Sequence, residues 1–212
     1  MGYDKDLWKI RMAGRSDLSG SVTHLTRSKH IDGKKVGPVD LLVKILSEGK
    51  LEGSTTEQGF ICGKTPAVCL QEAPIYSICQ NIYSEQQYRE KNKDAKVRYV
   101  GVGLMLPKPY VYSLGGRPVI YDDTTTAKFY LEEDQWWRIV RFDLDDEDNF
   151  IDWTHEREWR VPNELSFDLD QVTVLLPNHK AYQRFIKQCR KVDDVDILRT
   201  IRGIVTLGSV FY

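Results

Sequence analysis

Two glutamates stand two positions apart in a stretch that is dense in charged and aromatic side chains. The stretch IDWTHEREWRVP, residues 151–162, contains Glu156 and Glu158, and Arg160 follows them. Its second half, HEREWRVP, predicts a β-strand that ends at Pro162, and side chains alternate between the two faces of a strand. Both glutamates would therefore share one face with Arg160, with about 7 Å between the two carboxylates along the strand.

A carboxylate pair on one face is suited to acid–base chemistry. Carboxylates held together raise each other's pKa, so one can accept a proton while the other remains a stabilising anion. Such a pair suits a reaction through a ribosyl oxocarbenium ion, where a negative group stabilises the developing positive charge. The same pattern also predicts a solvated face of an antiparallel sheet with cross-strand ion pairs. Spacing alone leaves both interpretations open.

The opposite face of the same predicted strand is more apolar, and we expect it to be covered by the core. It would carry Trp153, His155, Arg157, Trp159 and Val161. On this face His155 has a structural role.

Composition predicts a cytoplasmic globular protein. The 212 residues fit one large domain, 41% of them are hydrophobic, and the net charge of −1 provides no general attraction to nucleic acid or to an anionic membrane. No apolar run reaches the length of a membrane span, and the charged amino-terminal residues do not match a signal peptide. The four cysteines form no CxxC pair, so we expect thiols in a reducing compartment, with Cys69 and Cys79 as core residues.

Helix and strand patterns alternate irregularly, which favours an α+β fold over a doubly wound parallel sheet. We expect a polar lead-in over residues 1–20 and a single domain over residues 21–212, in which helices flank a mixed or antiparallel sheet. Neither a GxGxxG fingerprint nor a phosphate-binding P-loop is present. The predicted strands cover residues 21–27, 67–71, 97–106, 117–121, 135–144, 155–162, 171–177 and 202–211. The predicted helices cover residues 37–51, 75–93, 123–132 and 178–191, with a short helix or turn at 107–116 and a long loop at 52–66.

Gly101 and Gly103 interrupt the strand predicted at residues 97–106. Because glycine has no Cβ, they allow another group to approach the backbone closely.

Four phrases occur in order before the glutamate strand. They are HLTR (24–27), LVKILSEGKL (42–51), AVCLQEAPI (67–75) and YVGVGLML…GGRPVIY (99–121). Together with the WTHEREWR strand, this succession resembles the AbiGi-type abortive-infection proteins of phage defence over residues 22–162. More remotely, the HxT motif, the helix ending in ILxxGxL and the late glutamate strand are similar to the DarT-like branch of the ADP-ribosyltransferases.

This second resemblance implies a pocket for NAD as a substrate, without a metal, in an ADP-ribosyltransferase-like fold. His24 would bind the adenosine ribose, and Thr26 would lie beside it on the same side. Tyr121 would stack on nicotinamide, with Tyr99 behind it. An early arginine of the family has its candidates in Arg117 and Arg98.

The resemblance makes Glu158 the catalytic glutamate and Glu156 the residue that positions the acceptor. The two roles could be exchanged, because the register of the strand is not readable from sequence. The implied enzyme cleaves NAD and transfers ADP-ribose to a nucleic acid or a protein.

Two other functions stay open. Since the AbiGi name also covers proteins described as antitoxins, the chain could be a non-catalytic regulator that binds a cognate toxin, another protein or a nucleotide. A metal-dependent nuclease could be built from Asp152, Glu156 and Glu158. The acidic run at residues 143–149 lacks the spacing of a calcium loop, and we interpret it as a solvated turn.

Overall fold

The computed structural model describes residues 2–58, 61–95, 97 and 99–211. With 40% helix and 25% strand, the fold is mixed α/β. The chain forms two compact units, each assembled from three separate stretches. Unit 1 comprises Met1–Val22, Leu51–Ala73 and Pro107–Ser166, and unit 2 comprises Thr23–Lys50, Pro74–Leu106 and Phe167–Tyr212.

Helices and strands alternate irregularly along the described residues. The helices are α1 (Lys5–Ala13), α2 (Pro38–Glu48), α3 (Ile75–Lys91), α4 (Lys108–Ser113), α5 (Thr124–Tyr130), α6 (His179–Cys189), α7 (Ile197–Thr200) and α8 (Gly208–Phe211). The strands are β1 (Ser21–Leu25), β2 (Lys29–Ile31), β3 (Lys34–Val36), β4 (Lys50–Glu52), β5 (Ala67–Gln71), β6 (Gly103–Pro107), β7 (Arg117–Pro118), β8 (Ile120–Asp122), β9 (Ile139–Arg141), β10 (Glu158–Pro162), β11 (Glu164–Ser166), β12 (Thr173–Leu176) and β13 (Gly203–Thr206). None of the helices in this described part is both long enough and apolar enough to cross a membrane.

The sheet of unit 1 is antiparallel around β10. This strand pairs with β5 on one side and with β7 on the other. The register sets Glu158 opposite Gln71 and Arg160 opposite Cys69, and Arg117 of β7 is the other partner of Arg160. Directly paired residues of antiparallel strands project their side chains to the same face. One face of this sheet therefore carries all five of these side chains.

The sheet of unit 2 is mixed. Strand β12 pairs in parallel with β13 and antiparallel with β6. Helices α2 and α6 pack against each other, and the Asp40 carboxylate of α2 accepts hydrogen bonds from Arg184 and Gln188 of α6. Leu42 and Phe185 are fully buried in these two helices. The predicted combination of a mixed sheet with helices is confirmed.

Several helix ends lie where a local sequence signal marks them. Pro38 begins α2, and Gly49 ends it in the left-handed conformation, with φ of 61°. Asp123 caps α5 and Asn178 caps α6 through side-chain oxygens that accept backbone N–H groups. The predicted polar lead-in contains helix α1, which Asp4 caps in the same way.

Other predicted strands are shorter in the structure. Residues 135–138 belong to a 3₁₀ helix (Glu133–Arg138), and the extended part of this predicted strand is β9, Ile139–Arg141. The strand predicted at 117–121 is divided into β7 and β8, and the final one ends at Thr206, before α8. The strand predicted at 155–162 begins only at Glu158.

Gly103 is the point of closest backbone approach in unit 2. A Cβ at this position would lie 2.2 Å from the carbonyl oxygen of His24 in β1, far inside van der Waals contact. The predicted close approach is therefore real, and the group that approaches is a neighbouring strand.

Replacement Gly103→Ala should lower the free energy of unfolding by about 2 kcal/mol or more, because the backbone of β1 would have to move. The matched control is Gly203→Ala in β13, where an added Cβ meets nothing within 4 Å. That change should alter stability by less than about 1 kcal/mol. Urea unfolding of both variants measures the difference, and equal losses would contradict the close approach.

Candidate functional site

Strand β10 is buried on both of its faces. Glu158 is 8% exposed and Arg160 is 3% exposed, while Trp159 and Val161 of the opposite face are 8% and 1% exposed. The expectation that the tryptophan face is covered is confirmed for these two residues. The interpretation of the glutamate face as a solvated sheet surface is wrong at Glu158 and Arg160, since this face is covered as well.

A buried ion pair lies at the centre of the covered face. The Nε and Nη2 atoms of Arg160 donate to the two carboxylate oxygens of Glu158 at 2.7 and 3.4 Å. The Nη1 atom of Arg160 donates to the backbone carbonyls of Trp137 and Ile139 at 2.7 and 3.0 Å. Arg160 therefore fastens the segment 137–139 over the strand, and the hydrogen bonds compensate for removing both charges from water.

Electrostatics keep this cluster in defined protonation states. Burial lowers the pKa of Arg160, but Glu158 and Cys69 together more than offset this, so the pKa is raised and the guanidinium stays charged. Burial raises the pKa of the Cys69 thiol, and the charges of Glu158 and Glu156 raise it further. Burial, with smaller contributions from the same two carboxylates, raises the pKa of Tyr121 to about 12. At neutral pH these side chains are an arginine cation, a thiol and a neutral phenol.

Tyr121 contacts the first residue of β10 directly. Its hydroxyl oxygen accepts a hydrogen bond from the backbone N–H of Glu158 at 2.8 Å. Because the oxygen is the acceptor in this bond, the phenolic proton is directed to another group. Two of the residues predicted for the site, Tyr121 and Glu158, are thus brought together.

Glu156 lies outside the strand, contrary to the prediction that both glutamates share one strand face. It ends a short 3₁₀ helix (Thr154–Glu156), and Arg157 then adopts the left-handed conformation with φ of 45°. Such a φ is unfavourable for a residue other than glycine, and strain of this kind is often found at functional sites. Glu156 is half-buried, and its charge acts on both Tyr121 and Cys69. It is the more accessible carboxylate of the cluster.

The tryptophan face is fixed by a second ion pair. Glu72 accepts a hydrogen bond from the indole N–H of Trp159 at 2.9 Å and pairs with Lys108 at 2.7 Å. The Lys108 ammonium lies 5.7 Å from the ring centre of Trp8 in α1. The tryptophan face of β10 is thus held by charged groups from other elements of unit 1. His155, which we placed on this face, is exposed in the 3₁₀ helix, with its ring 5.9 Å from that of Trp153.

Arg117, predicted to bind the cofactor, is turned toward the end of α4. Its guanidinium donates to the carbonyls of Tyr112 and Gly116 at 3.0 and 2.7 Å and stacks 4.0 Å from the centre of the Tyr112 ring. Arg98, the other candidate for the early arginine, lies outside the described residues.

His24, Thr26 and Tyr99 belong to unit 2. Strand β1 ends at Leu25, His24 and Tyr99 are half-buried, and Thr26 is 2% exposed. The backbone N–H of Thr26 donates to the carbonyl of Val102 at 2.7 Å. Its hydroxyl has no hydrogen-bond partner among the described residues, so Thr26 keeps an unused polar group.

Two residues of β5 that the prediction did not assign to the site face the ion pair. Cys69 lies opposite Arg160, and Gln71 lies opposite Glu158. Cys69 also packs against the apolar cluster of Ile61, Ala67 and Trp137, as its predicted core role requires. The alternation in AVCLQ places Cys69 and Gln71 on one strand face, but only the pairing with β10 identifies what they face.

Among the described residues, no group of three or more His, Cys, Asp or Glu side chains is arranged to hold a metal ion. Comparison of the chain with protein-family models, with curated proteins and with solved structures finds no match. The functional proposal therefore depends on the residues of the chain itself.

Replacement Arg160→Met should lower the free energy of unfolding by about 3–5 kcal/mol, because it leaves Glu158 buried without its partner. The control Arg141→Met removes an exposed ion pair with Asp143 and should cost less than about 1 kcal/mol. Chemical denaturation compares the two variants. The double change Glu158→Gln and Arg160→Met should recover part of the loss, and a loss no greater than that of the control would contradict the buried pair.

Tyr121 should make stability depend on pH in the alkaline range. Its pKa is about 12 in the folded protein, above the value of about 10 in an unfolded chain, so the folded state holds the proton more tightly. The stabilisation that Tyr121 contributes to the folded state is complete below about pH 10 and is lost as the pH rises toward 12. Unfolding free energies between pH 8 and 11.5 should fall less steeply for Tyr121→Phe than for the wild type. Tyr76→Phe, which changes an exposed tyrosine, should retain the wild-type slope.

Proposed function

We propose that this chain is an ADP-ribosyltransferase-like protein of the phage-defence type, which cleaves NAD and transfers ADP-ribose to a macromolecule. The observation that carries the proposal is the cluster of Tyr121, Glu156 and Glu158 in unit 1. It combines an aromatic ring with a neutral hydroxyl, a half-buried carboxylate and a buried ion pair that fixes their surroundings.

The reaction breaks the bond between the nicotinamide ring nitrogen and C1′ of the ribose. The bonding electrons leave with nicotinamide, which becomes neutral, and positive charge develops on C1′ and the ring oxygen. A carboxylate beside the ribose stabilises this charge. The acceptor nucleophile then forms a bond to C1′ and loses its proton to a base, and Glu156 is our candidate for that base.

The two glutamates differ in what their surroundings allow. Glu158 is buried, and both of its carboxylate oxygens accept hydrogen bonds from Arg160. Glu156 is half-buried, and its charge contributes to the raised pKa of Tyr121 and of Cys69. We therefore assign the direct contact with the ribose to Glu156 and a positioning role to Glu158. This gives Glu156 the main role, an alternative that the sequence left open.

Tyr121 is the candidate for stacking on the nicotinamide ring. The hydrogen bond from the backbone of Glu158 fixes its hydroxyl, and its raised pKa keeps the phenol neutral. Arg117 has a less direct role in binding NAD, because its guanidinium already donates hydrogen bonds to backbone carbonyls at the end of α4. The roles of His24, Thr26 and Tyr99 toward the remainder of NAD stay predictions.

The wider setting of this activity is also a proposal. A mixed sheet with helices is compatible with an ADP-ribosyltransferase-like fold. The acceptor would be a nucleic acid or a protein of the cytoplasm, and a cognate partner of the antitoxin kind would restrain the activity.

Replacement Glu156→Gln should reduce the release of nicotinamide from NAD by at least about 100-fold in a protein that remains folded. Glu158→Gln should reduce both activity and stability, because it weakens the bond to Arg160. Glu147→Gln, in the exposed acidic turn, is the matched control and should leave both unchanged. The assay follows radiolabelled NAD in a metal-free cell lysate, where label on nucleic acid or protein identifies the acceptor.

Other outcomes distinguish the remaining functions. A wild-type protein that neither releases nicotinamide nor is stabilised by NAD would contradict the transferase. Tight capture of a partner protein, insensitive to both glutamate changes, would then favour the regulator. Cleavage of nucleic acid that requires a divalent metal would favour the nuclease.

A further inference from the structure

The side-chain oxygen of Gln71, Oε1, is buried and accepts no hydrogen bond within the described part of the chain. The residue is 6% exposed, and its side-chain oxygen has no hydrogen-bond partner among the described residues. An unsatisfied buried acceptor costs about 1–3 kcal/mol, and the great majority of such groups in proteins are bonded. A bound ligand that donates a hydrogen bond to this oxygen would remove the free-energy cost and would explain why the acceptor is present.

The position of Gln71 identifies where that ligand would be. It is the last residue of β5 and lies directly opposite Glu158 in the antiparallel register. Paired residues of this kind have Cβ atoms about 4.5–5.5 Å apart and share a face of the sheet. The amide of Gln71 is therefore beside the residue whose backbone N–H holds the Tyr121 hydroxyl.

The chemistry of the neighbours defines what the ligand must offer. The Arg160 guanidinium donates to Glu158 and to the carbonyls of Trp137 and Ile139. The Gln71 oxygen and the Glu156 carboxylate are acceptors. A ligand group that fits here carries N–H donors and no negative charge.

We infer that Gln71 determines specificity for the nicotinamide end of the substrate by accepting a hydrogen bond from the N–H of its carboxamide. This inference rests on the proposed function. A carboxamide offers two N–H donors to the site. A carboxylate in the same place offers none and would bring a negative charge beside Glu158, which lies opposite Gln71. The site should therefore select NAD over its deamidated analogue, in which a carboxylate replaces the carboxamide.

The first test is stability without ligand. Replacement Gln71→Met removes the unused oxygen with little change in shape, so it should leave the melting temperature of the unliganded protein unchanged or raise it. The control Gln87→Met makes the same change at an exposed position of α3 and should have no effect. A fall in melting temperature confined to Gln71→Met would mean that the amide has a structural role, and would overturn the inference.

The second test is discrimination between the two dinucleotides. Gln71→Met should raise the KM for NAD about tenfold with a nearly unchanged kcat, as expected for one lost hydrogen bond. The preference for NAD over the deamidated analogue should fall by a similar factor, and Gln87→Met should behave as the wild type. Wild-type kinetics in Gln71→Met would overturn the role of Gln71 while the transferase stands. A wild type that neither cleaves NAD nor is stabilised by nicotinamide would instead overturn both.

Discussion

The buried pair of Glu158 and Arg160 is the interaction on which the rest of unit 1 depends. Arg160 reaches from β10 to the carbonyls of Trp137 and Ile139, so a segment about twenty residues earlier in the chain is fixed over the sheet. The backbone of Glu158 holds Tyr121 through its N–H and Val119 through its carbonyl. A buried ion pair adds little net stability when it is compared with apolar packing, but it requires a defined geometry, because a charge left without its partner is costly. The fixed geometry of this ion pair therefore fixes the backbone on one side of the candidate site.

The left-handed turn at Arg157 separates the environments of the two glutamates. Had the chain stayed extended from His155 to Pro162, Glu156 and Glu158 would have equivalent positions on one strand face. Instead, Glu156 lies half-buried in a short 3₁₀ helix, Arg157 is left-handed, and Glu158 in the strand is ion-paired with Arg160. Two identical side chains, two positions apart, thus have different surroundings because of one strained backbone angle.

Local chemistry determines how much of this could be predicted from the sequence. The ends of α2, α5 and α6 are predictable because Pro38, Gly49, Asp123 and Asn178 act on backbone groups within a few residues. The apolar run AVCLQ likewise predicts β5. The strained φ of Arg157 has no such signal, since arginine does not favour it. The burial of Glu158 depends on carbonyls of a distant segment, and the position of Gln71 depends on the register of a strand almost ninety residues away. Contacts of this separation are set by the assembled fold, which local patterns do not encode.

The interleaving of the two units has a consequence for synthesis on the ribosome. The three stretches of unit 1 all lie before residue 167, whereas unit 2 includes the stretch Phe167–Tyr212 with β12, α6 and β13. Since a nascent chain emerges from its amino terminus, every residue of the candidate site in unit 1 is available before the sheet of unit 2 can be completed. Until the stretch Phe167–Tyr212 has been made, the surface of α2 that packs against α6 stays uncovered.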